Sequence, residues 1–245
     1  MPPDRPALSV TARPSPNHGE RRLGVRFVVL HYTGMATAEA ALARLCDPAA
    51  AVSAHYLIDE AGACVALVPE DRRAWHAGVA YWRGVRDVNS ASIGVELVNP
   101  GHDFGYRAFP AAQIDALKTL LRGIVARYGL TPGDVIGHSD VAPGRKLDPG
   151  ELFPWAELAR DGFGVWPELR GTKGLLAREA ALRLLSSIGY AVPLAPELGA
   201  DILSAPADCI AAFQRHYRPA RIDGVLDLET QALIQARAAA SAVSA

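Results

Sequence analysis

The sequence predicts an α/β protein: a mixed central sheet flanked by helices, followed by a small three-helix C-terminal domain. Three observations carry this. Phe27-Val28-Val29-Leu30 and Ile93-Gly94-Val95-Glu96-Leu97-Val98 are almost continuously apolar, as strands covered on both faces must be. Strand and helix patterns then alternate, yet two strand candidates lie close enough for a hairpin, so parallel and antiparallel pairing must mix. After Gly162 strand signals cease and only helical segments follow.

Taken in order, residues 1–24 read as an extended arm, because Pro2, Pro3, Pro6, Pro14 and Pro16 disfavour a helix. The first strand runs from Val25 to Tyr32, and Thr33-Gly34 breaks it. Thr37 is placed to cap a helix over Ala38–Leu45, with Glu39 in its first turn. Val52 to Ile58 and Cys64 to Val68 are strand candidates joined by Asp59-Glu60-Ala61-Gly62. Pro69 to Asn89 reads as an irregular aromatic stretch, a length uncommon in loops without function. Ile93 to Val98 is a buried strand ended by Pro100-Gly101. Residues 110–128 form the clearest helix: Ile114, Leu117, Leu121 and Ile124 share one face, Pro110 suits the first turn and Gly129 the stop. Asp134 to Ile136 is a short strand leading into His138, and Pro154 to Leu158 a short helix. Gly171-Thr172-Lys173-Gly174 reads as a linker between a domain at 1–170 and a helical one at 171–245. The latter holds helices near 175–189, 206–217 and 227–240, the last capped by Asp227.

The bulk numbers narrow the class. Of 245 residues 50% are hydrophobic and 21% charged, which predicts a packed core. A net charge of -1 leaves no footprint for nucleic acid or an anionic membrane. No apolar run approaches the roughly 18 residues of a membrane span. Met1–Gly24 lacks the apolar segment of about 7–15 residues that a secretory leader needs. That predicts the cytoplasm, with the periplasm as the alternative if a leader has been removed. Cys46, Cys64 and Cys209 are odd in number and widely spaced, and read as free thiols.

Several polar residues fall where chemistry could sit. His31 ends an apolar strand and emerges at the sheet edge, where open α/β sheets place their sites. His138 repeats the pattern after Val135-Ile136-Gly137, and Asp148 lies between Leu147 and Pro149. Each reads equally as a structural residue satisfied by a hydrogen bond. Two histidines and a carboxylate can hold zinc with a fourth position open, although no local His-Glu-x-x-His helix or cysteine pair marks the site. Glu96 stands among Ile, Val and Leu; buried and unpaired, it costs several kcal/mol, so it has a partner, a task or an outward-facing position. Lys146 is either a cation for that site or a solvated loop residue. His55 reads as structural, and His18, His102 and His216 have no neighbours that argue for chemistry. Trp75-His76-Ala77-Gly78 and Tyr81-Trp82-Arg83-Gly84, with Asn89 nearby, are either core or the wall of a cleft suited to a sugar–peptide ligand.

Taken together, Val28-Val29-Leu30-His31-Tyr32-Thr33, Ser53-Ala54-His55-Tyr56-Leu57-Ile58, Trp75-His76-Ala77-Gly78, Ser92 to Leu97, Gly137-His138-Ser139-Asp140 and Lys146-Leu147-Asp148-Pro149-Gly150 resemble the type 2 N-acetylmuramoyl-L-alanine amidases. The likeness is to their AmiD/AmpD branch, which shares its fold with peptidoglycan recognition proteins, and it covers about residues 12–160. Ala211-Ala212-Phe213-Gln214-Arg215 with Ile222-Asp223-Gly224-Val225 and Thr230 resembles a three-helix peptidoglycan-binding domain. The resemblance implies zinc held by His31, His138 and Asp148. It implies Glu96 as the base for water and Lys146 as the oxyanion cation, with Trp75, His76 and Asn89 on the substrate. It implies cleavage of the amide between N-acetylmuramic or anhydro-muramic acid and L-alanine, in peptidoglycan or muropeptides; the chain is expected to act as a monomer. A non-catalytic recognition protein of the same fold is the alternative; it would lack a ligand or Glu96, and none is missing.

Overall fold

The computed structural model describes residues 8–169, 174–194, 199 and 201–243. Pro2, Pro3 and Pro6 of the arm and residues 171–173 of the linker lie outside the described residues. The chain enters through β1 (Val10–Ala12), β2 (His18–Glu20) and β3 (Phe27–Tyr32), then α1 (Ala38–Cys46). Next come β4 (Tyr56–Ile58), β5 (Cys64–Ala66), β6 (Arg72–Ala74), α2 (Val88–Ala91) and β7 (Ser92–Leu97). A short helix, α3 (Gly101–Phe104), leads to the long α4 (Ala111–Tyr128), then β8 (Val135–Gly137), α5 (His138–Val141) and α6 (Trp155–Arg160). The C-terminal segment consists of α7 (Arg178–Ile188), α8 (Pro206–Tyr217) and α9 (Leu228–Val243).

The sheet order is β1-β5-β4-β7-β3-β8. It is mixed as expected: β4 and β5 form the antiparallel hairpin, and the remaining pairings are parallel. The described part of the arm is extended as expected: β1 adds an edge strand beside β5 and β2 pairs with β6 in a separate ladder. Two local expectations are corrected. The aromatic stretch after Pro69 contains that β6 and ends in α2. The strand expected from Val52 starts only at Tyr56, since the Ser53 N–H bonds the Trp75 carbonyl at 3.1 Å, outside the sheet.

Strand alternation sends two sets of side chains to two layers. Val28, Leu30, Ile93, Val95, Leu97 and Val135 pack against Ile114, Leu117, Leu121 and Ile124 of α4. At about 1.5–3 kcal/mol for each buried side chain of this size, this stripe, more than helix propensity, holds α4 on the sheet. On the other face Phe27, Val29 and Ile136 share one core with Leu182, Leu185 and Ile188 of α7 and Ile210 and Phe213 of α8. Arg83 fastens the same junction, donating to Asp134 at 2.9 Å and to the Ile188 carbonyl at 3.1 Å. Thr37 caps α1 through the Ala40 N–H, and Asp227 caps α9 through the Thr230 N–H. No described helix is long and apolar enough to cross a membrane. Cys46, Cys64 and Cys209 are free.

Candidate metal centre

Register brings the site together. β3 and β7 run parallel with His31 opposite Glu96, and β3 meets β8 with Leu30 opposite Gly137. The ends of three neighbouring strands therefore deliver His31, Glu96 and His138 to one sheet edge. Asp148 returns to that edge because the Ser139 N–H bonds its carbonyl at 2.8 Å.

His31 Nδ1 and His138 Nδ1 are 2.9 Å apart, and Asp148 Oδ2 lies 2.9 Å from the first and 3.0 Å from the second. All three residues are buried. His138 Nε2 is 3.0 Å from the Ala77 carbonyl, which only accepts, so Nε2 carries the proton and Nδ1 is the bare nitrogen turned toward the aspartate. A bare nitrogen pressed on a carboxylate repels it; a cation between them reverses the sign. The donor set, two imidazole nitrogens and one carboxylate oxygen, fits zinc.

The electrostatics follow from burial. Burial first, then the neighbouring His138, lowers the His31 pKa to about 4. Glu96 goes the other way: burial, reinforced by Asp148 and opposed by Lys146, raises it well above its ordinary value. Its Oε2 is buried without a hydrogen-bond partner. Burial and the neighbouring His31 keep His76 neutral.

These groups open into a cleft of about 410 Å³. His31, Glu96, His138, Lys146 and Asp148 all line it, as do Trp75 and His76. Asn89 does not. It is buried, and its Oδ1 accepts the N–H groups of His76 at 2.9 Å and Ala77 at 2.8 Å. His102, passed over in sequence, stands at the rim with Nδ1 2.9 Å from the Tyr32 hydroxyl. His55 is structural as read: its Nδ1 accepts the Gly94 N–H at 2.9 Å. Asp140 was also missed. It is buried beneath the site and accepts from the Gly137 N–H (2.8 Å), the Tyr190 hydroxyl (2.6 Å) and His216 Nδ1 (2.7 Å). Its partners on α8 and beyond α7 come from a distant part of the chain, so no local pattern could announce it.

Fold and site together define a mixed α/β scaffold with a cation-ready sheet edge, and comparison with known proteins makes the class specific. The N-acetylmuramoyl-L-alanine amidase family model matches residues 20–151. AmiD of Escherichia coli K12, an N-acetylmuramoyl-L-alanine amidase, is 38% identical over 236 residues, 86% of this chain and 82% of AmiD. The 1,6-anhydro-N-acetylmuramyl-L-alanine amidase AmpD of Citrobacter freundii is 43% identical over 107 residues, 44% of this chain and 55% of AmpD. Among solved structures, the complex of E. coli AmiD with anhydro-N-acetylmuramic acid-L-Ala-D-gamma-Glu-L-Lys superposes with a TM-score of 0.75 at 36% identity, covering 91% of each chain. AmpDh3 of Pseudomonas aeruginosa does so at 0.75 and 37%, covering 91% of this chain and 94% of that one. The chain belongs to the N-acetylmuramoyl-L-alanine amidase family and is an enzyme, an amidase.

Proposed function

We propose that this chain is a zinc amidase cutting the bond between the lactyl group of N-acetylmuramic or anhydro-muramic acid and the L-alanine of a stem peptide. The observation that carries the reading is the inward-facing trio of His31 Nδ1, His138 Nδ1 and Asp148 Oδ2, three acceptors converging on one point. When bound, zinc supplies a Lewis acid that polarises a carbonyl and acidifies water. Glu96 takes the proton of the attacking water, since burial raises its affinity for a proton and its Oε2 is without a protein partner. Lys146 offers its ammonium to the carbonyl oxygen as negative charge develops there. Trp75 in the cleft wall packs on the sugar or peptide.

The substrate assignment rests on the family and on the anhydromuropeptides in the complexes of the similar AmiD and AmpDh3. Residues 171–245 are proposed as a wall-binding unit, on the resemblance of their Asp223-Gly224-Val225 loop, which Gln214 grips through the N–H groups of Asp223 and Gly224. Three free cysteines support a reducing compartment, the cytoplasm.

The test is Glu96→Gln beside the parent enzyme, on anhydromuropeptide and on insoluble peptidoglycan in parallel, with mass analysis of the released peptides. The expected result is full zinc occupancy with turnover reduced at least about 100-fold. Near-normal turnover removes Glu96 from the base role, and activity that survives chelation of the metal refutes the zinc reading.

A further inference from the structure

His76 lines the cleft, yet its polar atoms turn away from it. Its Nδ1 is 3.0 Å from His31 Nε2, and its Nε2 is 3.3 Å from Ser92 Oγ. The Ser92 hydroxyl donates to the Val88 carbonyl at 2.6 Å, so Ser92 Oγ is left to accept from His76 Nε2–H. A neutral His76 then has a bare Nδ1, which accepts from His31 Nε2–H. His31 in turn is left with a bare Nδ1, the atom that faces His138 and Asp148. One backbone carbonyl, Val88, thus dictates the tautomer of His31 through two intervening side chains. The next residue does the same for the second histidine, because the Ala77 carbonyl takes the proton of His138 Nε2.

The ring is held in place from three sides. Asn89 Oδ1 grips the backbone N–H groups of His76 and Ala77. Ser53 Oγ accepts the Trp75 N–H at 2.9 Å. The imidazole lies flat on Gly94 of β7, where any Cβ would overlap it. A substrate-binding side chain needs no such mould; a group that aims another ring does.

We propose that His76, backed by Ser92 and Asn89, is a positioning residue that fixes the tautomer and orientation of His31 and thereby sets the zinc affinity, and that it does not bind substrate. The inference rests on the zinc reading above. Partners behind ligand histidines are worth about 10–100-fold in metal affinity.

The experiment compares His76→Leu with His76→Asn in the full chain, by zinc competition against a chromophoric chelator. Leu and Asn have nearly the same shape, but only Asn places an acceptor where Nδ1 stood. His76→Leu is expected to bind zinc about 10–100-fold more weakly, and His76→Asn to recover most of that loss. Equal affinity in the two variants, or a raised KM with unchanged zinc affinity, overturns the proposal. If His76→Leu does not fold, Ser92→Ala carries the test: it weakens zinc binding to a smaller degree, and unchanged affinity overturns the proposal. A parent enzyme that captures no zinc overturns the metal reading itself. A parent that binds zinc no more tightly than His76→Leu overturns only this inference.

Discussion

Asp140, in α5, and Asp148, in the loop that follows, lie eight residues apart, both buried, both against histidine nitrogens, and they do opposite things. Asp140 is saturated: a backbone N–H, a tyrosine hydroxyl and a histidine each donate to it. Burial pushes its carboxyl up, but His216 and the other donors together bring it below its ordinary value. Asp148 meets His31 and His138 through Nδ1 atoms whose protons are held on the far side of each ring. The difference teaches how to tell a strut from a ligand site when residue types match. Donors aimed at a carboxylate close it; acceptors aimed at it leave room for a cation.

Removing each carboxylate separates these roles. Asp148→Ala is expected to lose zinc and to lower kcat/KM by at least about 1,000-fold, roughly 4 kcal/mol of transition-state stabilisation. Metal content and a muropeptide release assay measure this, and a zinc-loaded, active Asp148→Ala would end the distinction. Asp140→Ala leaves a hydroxyl, an amide and an imidazole buried without their acceptor, at about 3–5 kcal/mol of stability. For a chain of this size that lowers the melting temperature by about 6–20 °C, read by calorimetry on the metal-free protein. A larger fall for Asp148→Ala than for Asp140→Ala under those conditions would reverse the assignment. Tyr190→Phe sharpens the comparison further: it deletes one hydrogen bond to a charged acceptor, about 1.5–3 kcal/mol, measurable from the urea midpoint, with zinc affinity unchanged.

The same contrast explains what could be read in the sequence. β3 and α4 were legible because their own residues carry the pattern: an unbroken apolar run and a stripe at helical spacing. β2 and β6 were not, since His18–Glu20 and Arg72–Ala74 become strands only by finding each other. At the site, His31 and His138 were visible from apolar runs that stop at a polar residue, and Glu96 from a charge set inside such a run. The orientation of His76 and Asn89 was invisible, because a motif names residues without saying which way they point. Asp140 was silent for another reason. Its partners Tyr190 and His216 lie 50 and 76 residues away, in helical sequence that reads as an independent unit.

The Ser139 N–H bond to the Asp148 carbonyl closes the segment between two of the inward-facing residues into a ring. Joining those ends carries an entropic penalty that grows only slowly with loop length, and here it falls on folding. Capture of an ion then involves little ordering of this loop. Ions of different size and preferred coordination would meet a frame of set dimensions, so exchange among them is decided by fit to that frame and not by how readily the loop closes.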